Sequence, residues 1–483
     1  MHMVAQPSRE PLPRCKIFVH DPLSQQASLG VPDRYVPARW PHNQYAAEHY
    51  LWESLRSPDH PWRVARVEDA DVVYLAFNHS MLCFAGKPNT LRRQLKTLAG
   101  LEQLWPSKAA QARLPLFVPA HYAQCAVRSF FEGTGQFTLL SEFAPSSQRV
   151  TDSTTAVSPF VVSEPAWLVA PTLGADRPAS TPWDERTGLV FTAGHVPKVY
   201  LNPTRYLIWR QLKRDRRALA VSPTLLCSVG TYSVCNANLT SKNDTWLRTY
   251  CHEFCGATLS KGHSDAQRGH NALKCGNNRL SAKKKLSALQ STCKRTQQVH
   301  TDYTQELEGM QRDTRRLPHS QYLREAMRHR FCLVAPGDFV STHKVSEAIA
   351  LGGAGGCIPL LVLPSNRRGG VRVVQYLPYS RWLDYCTIAF FVREETARTS
   401  MAAILARLAN VSAAEAAAKH AALSRVREAF VFRPSCSPGA PCATEHILGE
   451  MCDAAVRGGR RGGHQTTESA WAAGGDHQRC VLG

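Results

Sequence analysis

The segment from Arg328 to Leu363 carries the residues best suited to chemistry. Phe331-Cys332-Leu333-Val334-Ala335 reads as a buried strand, and Pro336-Gly337-Asp338 as a turn in which Gly337 allows close backbone approach. Ser341 or Thr342 then caps a helix whose apolar stripe is Val345, Ala348 and Ile349. A Gly-rich break, Gly352 to Gly356, precedes a second buried strand, Cys357 to Leu363. A strand, Gly turn, helix and strand in this order aim the helix N-terminus at the carboxyl edge of a parallel sheet. Its free amides and dipole favour a phosphate group there. Lys344 and Glu347 lie three residues apart, on the face opposite Val345 and Ile349. A cation in that place can hold a leaving diphosphate, and a carboxylate one turn deeper can bind ribose hydroxyls. The competing reading is an exposed ion pair on a helix surface, which is common and weak.

The elements that must position this segment repeat a strand–helix alternation. Lys16 to His20 reads as a first strand, Gln44 to Ser57 as a helix (Tyr45, Tyr50, Leu51, Leu55), and Asp71 to Phe77 as a buried strand. A helix through Leu91 to Leu104, a strand at Leu116-Phe117-Val118 and strand candidates near Phe160 and Trp167 follow. Residues 171–187, rich in Pro, Gly, Ser and Thr, read as a linker. A second unit opens with Leu189-Val190-Phe191-Thr192-Ala193 and the turn at Gly194, resumes at His319 and ends near Ala455. Within it, Ser412 and Glu415 form a capping box for a helix from Ala413 to Phe430. The alternation predicts an α/β chain with largely parallel sheets. Its expected divisions are a leader (1–14), an N-terminal domain (15–175), a linker (176–187), a C-terminal domain (188–455) and a disordered basic tail (456–483).

At 483 residues the chain is long enough for two domains of roughly 200 residues each. Hydrophobic residues make up 43% and charged residues 20%, a composition that excludes wholesale disorder. The net charge of +20 is spread over short runs such as Lys283-Lys284-Lys285 and Arg460-Arg461. No recognition-helix, zinc-finger or RNA-motif signature accompanies it, so solvated basic faces or attraction to anionic glycans and nucleotide phosphates are favoured over nucleic acid. Of sixteen cysteines, six (Cys227, Cys235, Cys251, Cys255, Cys275, Cys293) crowd a polar insertion at 227–295, which predicts disulfides and an oxidising compartment. Zinc at Cys251-His252 and Cys255 is the weaker alternative, since paired CxxC knuckles are missing. Cys332 and Cys357, on buried strands, read as ordinary core residues. Sequons at Asn78, Asn238, Asn243 and Asn410 point to the same compartment. Met1 to Arg14 has no apolar run, and no 18 consecutive apolar residues occur, so a lumenal chain predicts an anchor outside this sequence.

His319 to Val392 resembles the donor-binding part of the exostosin family of glycosyltransferases. The matching pieces are Tyr322-Leu323, Arg330-Phe331-Cys332-Leu333, Pro336-Gly337-Asp338, Ser341 to Lys344, Glu347-Ala348-Ile349, Gly356-Cys357-Ile358-Pro359, Leu377-Pro378-Tyr379 and Leu383-Asp384-Tyr385. Upstream, Lys16-Ile17-Phe18-Val19 and Glu68 to Tyr74 are similar to the family's opening strand and its Glu-Ala-Asp-aromatic strand. The resemblance runs in order from Lys16 to Tyr385, with the middle largely unmatched. It implies a GT-B-like fold, two Rossmann-like domains facing a cleft, here with a Cys-rich insertion in the C-terminal one. It also implies inverting transfer of a sugar from a nucleotide sugar, with a UDP-linked donor the expected one, to a glycan or polysaccharide hydroxyl in the Golgi or secretory lumen. No cofactor or metal is required; the nucleotide sugar is a co-substrate, the glycan an acceptor, and homo- or heterodimers are compatible with it.

The resemblance also distributes roles. Leaving-group stabilisation falls to the amides around Gly337 to Ser341, to Lys344 and to Arg205, which follows the Gly194 turn on a helix beginning near Pro203 and has a plain surface Arg as its equal alternative; Glu347 becomes the ribose ligand. Asp338 and His121 are the candidates for general base, with helix capping and a structural role as their respective alternatives. Lys344 replaces the family's usual Arg and keeps its charge without the bidentate fork. Ser380 stands where the family has a carboxylate, and only Val118 to Cys125 faintly echoes its acceptor-side motif. A catalytically silent glycan-binding partner of an active homologue is therefore the alternative reading.

Overall fold

The computed structural model of the chain describes residues 14–20, 46–76, 80, 114, 116–119, 137–141, 155–157, 159–162, 181–194, 204–221, 317–336, 342–363, 377–380, 382–433, 436, 441–459 and 480–482. Two parallel sheets organise them. The first contains β1 (Ile17–His20), β2 (Arg63–Val64), β3 (Val72–Leu75), β4 (Leu116–Pro119), β5 (Phe137–Ser141) and β6 (Thr155–Val157), in the order β2-β1-β3-β4-β5-β6. Between β1 and β2 runs α1 (Ala47–Leu55), which buries Ala47, Glu48, Leu51 and Leu55 at helical spacing. Every residue of β3 is buried, as its unbroken Val-Val-Tyr-Leu run requires in a sheet covered on both faces.

The second sheet contains β7 (Gly188–Ala193), β8 (Ala218–Val221), β9 (His329–Val334), β10 (Ile358–Leu363) and β11 (Phe390–Arg393), in the order β11-β10-β9-β7-β8. Its helices are α2 (Thr204–Leu212), α3 (His319–Arg328), α4 (His343–Gly353), α5 (Glu394–Thr399), α6 (Met401–Ala409) and α7 (Ala413–Val426), while the last helix, α8 (Ala443–Gly459), packs on the first sheet. All pairings in both sheets are parallel. In each, the second strand joins one side of the first and the third strand joins the other. The winding therefore reverses between β1 and β3 and between β7 and β9. At such a reversal the two flanking connections leave in opposite directions and open a crevice at the carboxyl ends of the strands. Both units are thus Rossmann-like.

The expected strands at Lys16, Asp71, Leu116, Leu189, Phe331 and Cys357 are present, with ends adjusted by a residue or two. The capping of α7 is as expected on one side, Ser412 Oγ accepting from Glu415 N–H at 3.1 Å, and the last turn of that helix, Arg427–Phe430, tightens to 3₁₀. Other expectations are corrected. Residues 159–162 form no strand; they are buried coil, and the Phe160 N–H donates to Ser346 Oγ on α4 at 3.0 Å. The Gly-rich break begins later than expected, because α4 continues through Gly353. Cys332 and Cys357 are not free core thiols but a disulfide joining neighbouring strands. The tail is not wholly disordered: α8 runs to Gly459, Cys480 is bonded to Cys386, and Leu482 N–H donates to Phe391 O at 2.7 Å. The candidate helix at Leu91, the strand near Trp167 and the cysteines of 227–295 lie outside the described residues.

Disulfides also join Cys15 to Cys452 and Cys436 to Cys442. Four disulfides among the described residues fit an oxidising environment. No single described helix is long and apolar enough to cross a membrane.

Candidate functional site at the β7–β9 reversal

Two helices begin at the carboxyl ends of the strands that flank the second reversal. After β7 comes α2; after β9, the chain passes Ala335 and Pro336 and enters α4. Arg205, in the first turn of α2, donates its Nε–H to the Pro336 carbonyl at 2.9 Å, which ties the two helix starts across the crevice.

Thr342, rather than Ser341, holds the N-cap position of α4, in extended geometry, yet its hydroxyl makes no capping bond. The first turn is therefore closed by backbone alone, with Val345 N–H donating to Thr342 O at 2.9 Å. Lys344 follows directly. Its ammonium contacts Glu347 Oε2 at 2.5 Å and lies 4.2 Å from the centre of the Tyr322 ring on α3. The Tyr322 hydroxyl shares hydrogen bonds with both charges, and His343 Nδ1 stands 3.8 Å from the same carboxylate oxygen.

This is not the exposed surface pair that sequence spacing alone allowed. The Glu347 side chain is 5% exposed, whereas Lys344 keeps 37% of its side chain in solvent. The reason is packing: from Val345 to Gly352 every residue of α4 is buried, so the helix has no polar outer face on which Glu347 could lie. Burial alone pulls the Lys344 ammonium down and the Glu347 carboxyl up. Their mutual attraction outweighs it, so Lys344 is held above its ordinary value and Glu347 below. Burial and the Glu347 charge together push the Tyr322 phenol up. The arrangement is a fixed carboxylate with a partly exposed ammonium in the first turn of a helix.

The opposite end of α4 is fastened as firmly. Arg186, which leaves the linker beside Trp183, is buried and donates to the carbonyls of His329, Gly356 and Gly355 at 3.2, 2.9 and 2.7 Å. A cation at the C-terminal end of α4 complements the helix dipole where its last carbonyls point. Burial, and then the neighbouring Arg330, lowers the Arg186 pKa to about 10, so the group stays charged at neutral pH.

The structure places Arg205 on the helix after β7, bonded to Pro336, and Lys344 and Glu347 as a pair on the helix after β9. Gly337, Asp338, Ser341 and His121 lie outside the described residues. Ser380, at the position of the missing acid, is buried and follows Tyr379, whose φ of 59° places it in the left-handed region.

One residue at the first reversal escaped sequence reasoning. Glu48, in the first turn of α1, is 1% exposed and accepts from the Ser80 N–H at 2.5 Å, which joins α1 to the chain following β3. Burial, with the Glu48 charge second, drives the neighbouring Tyr74 phenol well above its ordinary value. The signal was present: residues 48, 51 and 55 are spaced to share one helix face, so an acid at 48 had to lie on the buried stripe. Among the described residues, no group of three or more His, Cys, Asp or Glu side chains converges as a metal site. No protein-family model matches the sequence, and no curated protein is significantly similar to it.

Proposed function

We propose that the chain is an inverting glycosyltransferase of the GT-B type, its two domains facing a cleft, that moves a sugar from a UDP-linked donor to a glycan hydroxyl in the secretory or Golgi lumen. The observation that carries this reading is the placement of Arg205 and of the Lys344–Glu347 pair on the two helices that follow the strands of the β7–β9 reversal. A nucleoside diphosphate needs fixed cations for its phosphates and a fixed carboxylate for its ribose. The acceptor oxygen attacks the anomeric carbon in line; the bond from that carbon to the diphosphate oxygen breaks; a base takes the acceptor proton. Arg205, Lys344 and the amides of Gly337 to Ser341 would stabilise the departing diphosphate, and Glu347 would hold the ribose. Asp338 and His121 remain the candidates for the base. The four disulfides support the lumenal compartment. Ser380, in place of the family's acid, favours the second reading, a silent glycan-binding subunit paired with an active homologue.

Release of free UDP from a panel of UDP-sugars, with and without oligosaccharide acceptors, decides between them. The enzyme reading expects turnover with one donor. It further expects Lys344→Ala to lower kcat by roughly 2–4 kcal/mol in barrier, because that charge is needed most as the diphosphate leaves. Glu347→Gln should instead raise the donor KM, with a smaller change in kcat. Donor binding without turnover on any acceptor would leave the silent-subunit reading standing.

A further inference from the structure

Trp382 is the one large hydrophobic residue recorded as exposed among the described residues, at 45%. Its indole lies flat on His446, ring centres 5.4 Å apart with planes 26° from parallel, and against Tyr379 at 5.2 Å and 33°. The support beneath it is rigid. The Tyr379 hydroxyl donates to Ala429 O at 2.7 Å, and its backbone adopts φ 59°. A non-glycine residue in that region carries strain, which persists only where the surroundings over-determine the conformation. Burial drives His446 down to about 4, so the imidazole beneath the indole is neutral at physiological pH.

Two elements meet here. Tyr379 and Trp382 come from the connection between β10 and β11, and His446 from the first turn of α8. That helix in turn packs on α1, β5 and β6 of the first sheet. The stack therefore stands where the second unit hands its chain over to the first.

We propose that the free face of Trp382 is a stacking platform for one pyranose ring of a glycan acceptor. This rests on the reading that the chain acts on glycans. The occupant follows from the shape of the exposed surface. Leu377, Leu383 and Tyr385, its neighbours in sequence, are all buried, so among the described residues the exposed large apolar surface here is one flat ring. A protein partner or a membrane needs a contiguous patch of a few hundred Å². A sugar ring needs a single aromatic face against its C–H groups, with water or polar groups serving its hydroxyls. An aromatic plane already held by a second ring loses little side-chain entropy on binding, which favours this use.

The test is binding without donor, so it does not depend on turnover. Neutral xylo-, gluco- and galacto-oligosaccharides of four to six units are titrated into the full chain by calorimetry. The same is done with Trp382→Ala, Trp382→Tyr and a surface control, Arg407→Ala. The platform predicts that wild type binds at least one series, that Trp382→Ala weakens it about tenfold, and that Trp382→Tyr and the control keep it within about threefold. Circular dichroism of Trp382→Ala must match wild type; if it does not, Trp382→Tyr set against Trp382→Leu carries the comparison. Absence of binding in wild type to every series, or equal affinity in the aromatic and aliphatic variants, overturns the platform. Binding that depends on Trp382 in a chain that turns over no UDP-sugar sustains the platform and rejects the enzyme reading instead.

Discussion

At the scale of single residues, the Lys344–Glu347 pair combines two demands that pull apart. A buried carboxylate must be compensated, and Lys344 with Tyr322 does so. Removing Lys344 alone leaves a desolvated charge, which in buried pairs costs about 3–5 kcal/mol. Partial exposure of Lys344, 37%, lets water reach the site and brings the expected loss below that range, to about 2 kcal/mol. Lys344→Met should therefore lower the urea midpoint, and Lys344→Met with Glu347→Gln together should restore most of it. Turnover should stay low in both. A double variant as unstable as Lys344→Met would mean that the two side chains are not coupled. Recovery of turnover along with stability would remove Lys344 from the leaving-group role.

At the scale of elements, α4 is held at both ends: Arg205 fixes the turn before it, and Arg186 fixes the carbonyls after it. Arg186→Met should remove the guanidinium's bonds to those carbonyls, at about 1–3 kcal/mol for each one that water cannot reach. Urea denaturation should register a loss of roughly 3 kcal/mol or more; a change under about 0.5 kcal/mol would show that water takes the guanidinium's place. The sequence announced α4 and its flanking strands clearly, because Phe-Cys-Leu-Val and Cys-Ile-Pro-Leu-Leu-Val are unbroken apolar runs and Gly residues mark their ends. It did not announce Arg186, which reads as one more cation in a Pro-rich linker until the chain is folded. Nor did it reveal β5, β6 and β8. Phe-Thr-Leu-Leu-Ser, Thr-Ala-Val and Ala-Leu-Ala-Val are short or mixed in polarity and become strands through their neighbours' ladders. Helical spacing placed Lys344 and Glu347 on one face but could not say that this face is buried, since that depends on what packs over it.

At the scale of the whole molecule, burial holds His49, His60, His329, His420 and His446 below the ordinary imidazole value. The unfolded chain thus binds more protons than the folded one between pH 6.5 and the folded values, the lowest of which is about 4. Stability should accordingly fall as pH drops through that window and level off beneath it. His446→Phe should flatten part of the slope between pH 6.5 and 4.5, and an unchanged slope would show His446 titrating normally. Covalent closure acts on the same scale. After Val431 the chain leaves the second unit, lays α8 on the first sheet, where Cys452 meets Cys15, and Cys480 meets Cys386 beside β11. The Cys15–Cys452 bond closes a loop across a sequence separation of 437 residues, so breaking it frees unfolded-state entropy and releases α8 from its anchor. Replacing both cysteines by serine should cost about 2–4 kcal/mol and deprotect α8 and α1 together in hydrogen exchange, while β9, β10 and α4 stay protected. Peptide mapping without reductant should recover residues 15 and 452 cross-linked. Alkylation of both thiols in the native protein, or loss of protection spread evenly over both sheets, would show that the two units are joined by packing alone.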